Sequence, residues 1–122
     1  MQFNPDDYIL PDNFLQTKET KVVRIRRKDG MIIQGCDIYI GRRMTMGGWN
    51  LEESPFANPY KIKEYGSADI VCALYETYIR NKPDLIAILP ILRGKTLGCW
   101  CENPEKCHGS ILIKLLNEYY PA

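Results

Sequence analysis

The segment Leu97-Gly98-Cys99-Trp100-Cys101 to Cys107-His108-Gly109 does most to fix what this chain can fold into. Its first part, residues 96–100, reads as a short buried strand. The residues beyond it have helical spacing: Ile111, Leu112, Leu115, Leu116 and Tyr119 fall on one face and predict a helix over about residues 109–119. A strand that turns through a short loop into a helix is half of a βα unit, which directs the fold toward the α/β class. In open α/β sheets, ligands bind beyond the carboxyl ends of the strands, where the next helices present unpaired N–H groups.

The rest of the chain supplies partners for that unit. Residues 21–27 alternate, with Val23 and Ile25 on one face and Val22, Arg24 and Arg26 on the other, and predict one strand. Lys28-Asp29-Gly30 is a turn, so Met31-Ile32-Ile33 pairs back as a hairpin. A second apolar run, residues 36–40, ends at Gly41. Residues 41–66, with Gly47-Gly48, Pro55, Pro59 and Gly66, read as a long loop, a length that is usually functional. Ser67 is placed to cap a helix to about Asn81 whose stripe is Ile70, Val71, Leu74, Tyr75, Tyr78 and Ile79. Pro83 opens a shorter helix through Leu89, Pro90 kinks it and Gly94 ends it. Residues 1–20 show no apolar period and read as an extended arm, leaving residues 21–122 as the domain. The expected fold is a single compact α/β domain in two or three layers, with a short central sheet, about three helices and Rossmann-like character.

A chain of 122 residues, 45% hydrophobic and 25% charged, buries a core without needing disulfides. The net charge of +1 demands neither nucleic acid nor an anionic membrane, so anion binding must come from local placement. The start of the chain is unlike a signal peptide, and no stretch has the apolar length of a membrane span. With five cysteines, an odd number, this points to a reducing compartment, the cytoplasm or the cytoplasm of a host cell.

Cys99 and Cys101 lie two apart on an extended segment and share a side. Cys107 and His108 fall at the start of the last helix. Three thiols and an imidazole, Cys99, Cys101, Cys107 and His108, are the ligand set of a four-coordinate zinc site. The spacing is not the usual C-x2-C pair, and adjacent Cys107 and His108 should point in different directions. The rival reading is catalytic. A helix N-terminus would lower the Cys107 pKa, with His108 as acid, base or hydrogen-bond donor. Cys36 and Cys72 read as buried structural fillers.

Arg42 and Arg43, after a strand and beside Gly47-Gly48-Trp49, can fork onto a phosphate. Trp49 and Asn58 are further candidates for ligand binding, although Asn58 before Pro59 builds a turn equally well. The basic run Lys21, Arg24, Arg26, Arg27 and Lys28 suits a solvated edge or, with Trp49, a nucleic-acid contact.

Several of these motifs stand in one order: Asp37-Ile38-Tyr39-Ile40-Gly41-Arg42, Gly47-Gly48-Trp49-Asn50-Leu51, Ser54-Pro55, Asn58-Pro59-Tyr60, Leu92-Arg93-Gly94-Lys95 and Gly98-Cys99-Trp100-Cys101 to Cys107-His108-Gly109. Over residues 21–119 the chain resembles an uncharacterised domain family of giant viruses, bacteriophages and bacteria, whose usual loop between the cysteines is shorter and richer in proline. The Cys-His ending is also similar, more weakly, to a second uncharacterised family of small Rossmann-like proteins. The resemblance implies the extent of the domain and a viral setting, and no activity. The leading expectation is a protein that binds a nucleotide or a nucleic-acid phosphate beside a zinc or thiolate centre. The alternatives are a small nucleotide- or nucleoside-modifying enzyme using Cys107 and His108, and a zinc-stapled interaction module without a ligand pocket.

Overall fold

The computed structural model describes residues 19–101 and 107–121, so nearly all of the expected arm, residues 1–18, lies outside the described residues. The fold is α/β. Strand β5 (Thr96–Cys99) is the centre of a three-stranded parallel sheet, between β1 (Lys21–Arg24) and β4 (Ile38–Tyr39). Strands β2 (Arg26–Lys28) and β3 (Met31–Gln34) form a separate antiparallel hairpin. The helices are α1 (Ile62–Tyr65), α2 (Ala68–Arg80), α3 (Pro83–Ile88) and α4 (His108–Tyr119), with a 3₁₀ turn over Leu89–Leu92.

Two expectations change. The single strand over residues 21–27 is broken at Ile25, whose N–H leaves the hairpin ladder and donates to Cys99 O at 3.1 Å. The register is then irregular at Arg26/Arg27, so β1 serves the sheet while β2 serves the hairpin. The expected loop over residues 41–66 holds the one-turn helix α1 and a bridge between Met44 and Leu51, so the described residues contain four α-helices, besides the 3₁₀ turn, rather than three.

Register decides which side chains meet. Val22, Leu97 and Ile38 are aligned across the sheet and face the main core with Ile40, Tyr75, Ile79, Leu112, Leu115 and Leu116. Val23 and Gly98 face the other side, where Ile25 and Cys36 close over the glycine. Cys36 is thus half-buried beneath the sheet rather than fully buried, and Cys72 on α2 is half-buried too. The helix ends are less buried than their stripes predict. Ile70 is exposed in the first turn of α2, and Tyr119 is exposed in the last turn of α4. There the Tyr119 ring meets the Arg80 guanidinium, which also pairs with Glu118 at 2.6 Å and joins α2 to α4.

Local signals work as expected elsewhere. Ser67 Oγ accepts from Ile70 N at 3.1 Å to cap α2. Gly94 ends the 3₁₀ segment with φ of 74°, and its N–H donates to Thr20 Oγ1 at 2.7 Å. At the middle of the core, Tyr75 donates its hydroxyl to Phe56 O at 2.6 Å, and burial pushes its pKa far upward. Tyr75→Phe strands that carbonyl, and the expected cost is about 1–3 kcal/mol in urea unfolding at unchanged m-value.

Candidate metal centre and the cationic cavity beside it

Parallel pairing sends the C-termini of β4 and β5 to the same edge of the sheet, with Ile40 N donating to Gly98 O at 2.9 Å. The segments that leave the two strands therefore meet. After β5 come Trp100 and Cys101, after β4 come Arg42 and Arg43, and the N-terminus of α4 returns to the same place.

The sulfurs of Cys99, Cys101 and Cys107 lie within 4.8 Å of one another. Cys101 Sγ is 2.6 Å from Cys107 Sγ, which is 3.1 Å from Cys99 Sγ. Both separations are shorter than ordinary van der Waals contact between two sulfurs. Cys101 donates to Cys107 and Cys107 to Cys99, and Cys101 is bonded to Cys99 as well. Hydrogen bonds from the Cys101 and Cys107 thiols bring Cys99 down to about 3. For Cys101 the bond to Cys107 acts downward, but the bond to Cys99 together with burial carries it up to about 12. Cys107 also rises, through its bonds to Cys101 and Cys99 and then burial. Cys107 is the N-cap of α4, with Gly109 N donating to its sulfur at 3.4 Å.

Three close cysteines can hold a metal ion, and their chemistry suits a thiophilic one. In a tetrahedral zinc site with bonds of about 2.3 Å, sulfurs stand about 3.8 Å apart, so the pairs now at 2.6 and 3.1 Å would open to seat an ion. His108 is not in the set of mutually close donors. Its Nε2–H donates to Ile40 O at 2.7 Å, which leaves the lone pair of Nδ1 facing Cys107 Sγ at 3.5 Å. Burial lowers the His108 pKa and keeps the ring neutral, and the edge-on Tyr75 ring at 5.1 Å fixes its plane. The two neighbours Cys107 and His108 therefore turn toward the same region, although their sequence adjacency suggested divergence.

A cavity of about 610 Å³ opens beside this centre, and Arg42, Arg43, Lys61, Lys63, Cys101 and His108 are in its wall. No acidic side chain among the described residues lines it. Arg42 is steadied by donating Nη2 to Tyr60 O at 3.1 Å, while its carbonyl accepts from the Tyr39 hydroxyl. That hydroxyl accepts in turn from Trp100 Nε1 at 2.7 Å, so a wall residue just after β5 fixes the backbone of the arginine loop.

Trp49 does not line the cavity. It stands behind Trp100, edge to face at 5.5 Å, under the Arg27 guanidinium at 5.3 Å. Asn58 reaches the wall, but its side chain is committed to backbone: Oδ1 accepts from Tyr60 N at 2.9 Å and Nδ2 donates to Val71 O at 3.4 Å. Sequence reasoning missed Lys61, Lys63 and Cys72 as wall residues. Their one signal was that Lys61 and Lys63 come directly after the Asn58-Pro59-Tyr60 turn.

No helix among the described residues is long and apolar enough to cross a membrane. No solved structure matches the chain. "Uncharacterized protein R718" of Acanthamoeba polyphaga mimivirus is 50% identical over 101 residues, covering 77% of this chain and 77% of that protein. The family described as "Domain of unknown function (DUF4326)" matches residues 23–118, a span that includes the three clustered thiols and the whole cavity wall. The chain belongs to that family, which takes in a giant-virus relative.

Proposed function

We propose that the protein binds a phosphate-bearing ligand of the nucleotide class in the cationic cavity, beside a zinc ion held by Cys99, Cys101 and Cys107. One observation carries the reading: four cations face a single cavity whose described wall contains no carboxylate. Collecting like charge without a counter-charge is unfavourable unless an anion shares the space. The volume falls in the range of about 300–1,000 Å³ typical of small-molecule sites. The planar guanidinium groups of Arg42 and Arg43 suit forked bonding to phosphate oxygens.

The other functions weighed from the sequence find less support. A catalytic Cys107 has no open approach, being 1% exposed. An interaction module needs no cavity of this composition. Zinc is favoured over harder ions because the three close donors are all sulfur.

Titration calorimetry with inorganic phosphate, nucleoside monophosphates and nucleoside triphosphates tests the reading. Binding should appear with at least one phosphate compound and weaken more than tenfold, about 1.4 kcal/mol, in the Arg42→Glu, Arg43→Glu double variant. Both side chains are exposed, so the variant should keep the wild-type melting temperature. No heat from any phosphate compound, or equal affinity in the variant, sinks it.

A further inference from the structure

One sulfur of the cluster reaches outside. Cys99 and Cys107 are each 1% exposed, whereas Cys101 is half-buried and forms part of the cavity wall with Arg42 and Arg43. Cys107 is its near neighbour at 2.6 Å, and the Cys107–Cys99 separation is longer, 3.1 Å, and wholly inside the core. The remaining cysteines lie outside this set of close sulfurs, although Cys72 shares the cavity wall. Cys36 packs beneath Gly98 on the far face of the sheet, and Cys72 sits on α2 outside the set of close sulfurs.

We propose that Cys101 and Cys107 form a thiol-oxidation site for hydroperoxides, Cys101 taking up the oxygen and Cys107 resolving it to a disulfide. Cys101 gives up its proton, which ends on the departing oxygen, and the sulfur electron pair attacks the outer oxygen of the hydroperoxide. The S–O bond forms as the O–O bond breaks, and the departing oxyanion takes a proton and leaves as an alcohol, or as water when the oxidant is hydrogen peroxide. The cations along the wall stabilise that oxyanion as it develops. Cys107 then attacks the sulfur of the Cys101 sulfenic acid. The S–S bond forms, the S–O bond breaks, and hydroxide leaves as water with the Cys107 proton. Two thiols lose two electrons in all, and the peroxide gains the same two.

Position decides the division of labour. Of the three clustered sulfurs Cys101 is the one in the cavity wall, and Cys107, 2.6 Å from it, is held by a separate element at the start of α4. The inference rests on the sulfur geometry and not on the zinc reading. If zinc is there, the two are linked, because the bridge consumes two of its three sulfur ligands.

The test uses the full reduced chain, treated with one equivalent of hydrogen peroxide, blocked with iodoacetamide and digested with trypsin without reduction. Cleavage after Lys95, Lys106 and Lys114 places Cys101 on peptide 96–106 and Cys107 on peptide 107–114. The expected product is a cross-link between these peptides that fragmentation assigns to Cys101, with Cys36 and Cys72 alkylated. In Cys107→Ser the sulfenic acid persists and should be captured on Cys101 by dimedone. Alkylated Cys101 after peroxide, a bridge to Cys99 in place of Cys101, or no dimedone adduct overturns the proposal. Zinc released from loaded protein, monitored with a coloured chelator, separates the two readings. A bridge in protein that never held zinc supports the oxidation site and removes the metal, whereas retained zinc with no bridge does the reverse.

Discussion

Exchange of Cys107 for serine is expected to strip the protein of zinc while leaving the last helix capped. The hydroxyl is a poor zinc ligand, so affinity should fall by more than the about 100-fold that removal of an outer hydrogen-bonding partner costs. Serine is at the same time among the best N-cap residues, and Cys107 occupies the N-cap of α4. Cys107→Ala removes ligand and cap together and should be less stable than Cys107→Ser by about 1 kcal/mol. The pair of variants thus separates what the sulfur does for a metal from what it does for the helix. Metal analysis of protein purified without added zinc, with urea unfolding of each variant, reads both effects. Zinc held by Cys107→Ser with wild-type affinity would show that Cys107 is not a ligand.

The second large effect is steric. Gly98 lies in the central strand, and a methyl group there would stand 2.4 Å from Cys36 Sγ, 2.7 Å from Cys36 Cβ and 2.7 Å from Ile25 Cγ2. The strand cannot retreat, because β5 pairs with β1 on one side and β4 on the other. Gly98→Ala is therefore expected to cost about 3 kcal/mol or more, at the upper end of overpacking penalties. Adding Cys36→Ala removes the sulfur but keeps the Cβ clash, so the double variant should regain only part of the loss. A Gly98→Ala protein that melts at the wild-type temperature would mean the sheet is not closed over this residue.

Much of this was legible in the sequence because it is local. The periods of residues 68–80 and 108–119 depend on spacing alone, and so does the strand–loop–helix order that carries the thiols. The sharing of one sheet edge by Arg42, Arg43 and Cys99 follows from the general placement of sites at strand ends. The break at Ile25 was not legible, since the alternation runs through it without a flaw. At that point the chain changes partner: Ile25 makes the last bond to β5, a strand near the other end of the chain, and Arg26 begins the pairing with β3. Lys61 and Lys63 were equally hidden. They reach the cavity only because the segment after β4 folds back and Arg42 bonds Tyr60 O. The apolar stripes overreached at Ile70 and Tyr119 because amphipathic spacing continues past the point where a core remains to cover it.

The placement of β5 between two strands from the front of the chain bears on how the protein comes to be assembled. Cys99 meets the backbone of Val23 across 76 positions, so the central sheet closes only after almost everything between has been synthesised. Pairing at such separation makes for slow closure, and until then β1 and β4 have no neighbour within the sheet. The three sulfurs, by contrast, are spaced over residues 99–107 and come together over a short loop. A metal ion captured there also has affinity for the unfolded chain, so it lends the native state less than its full binding energy. Its larger service would be to the order of events, with the last strand arriving already joined to the start of its helix and filling the gap that holds the first strands apart.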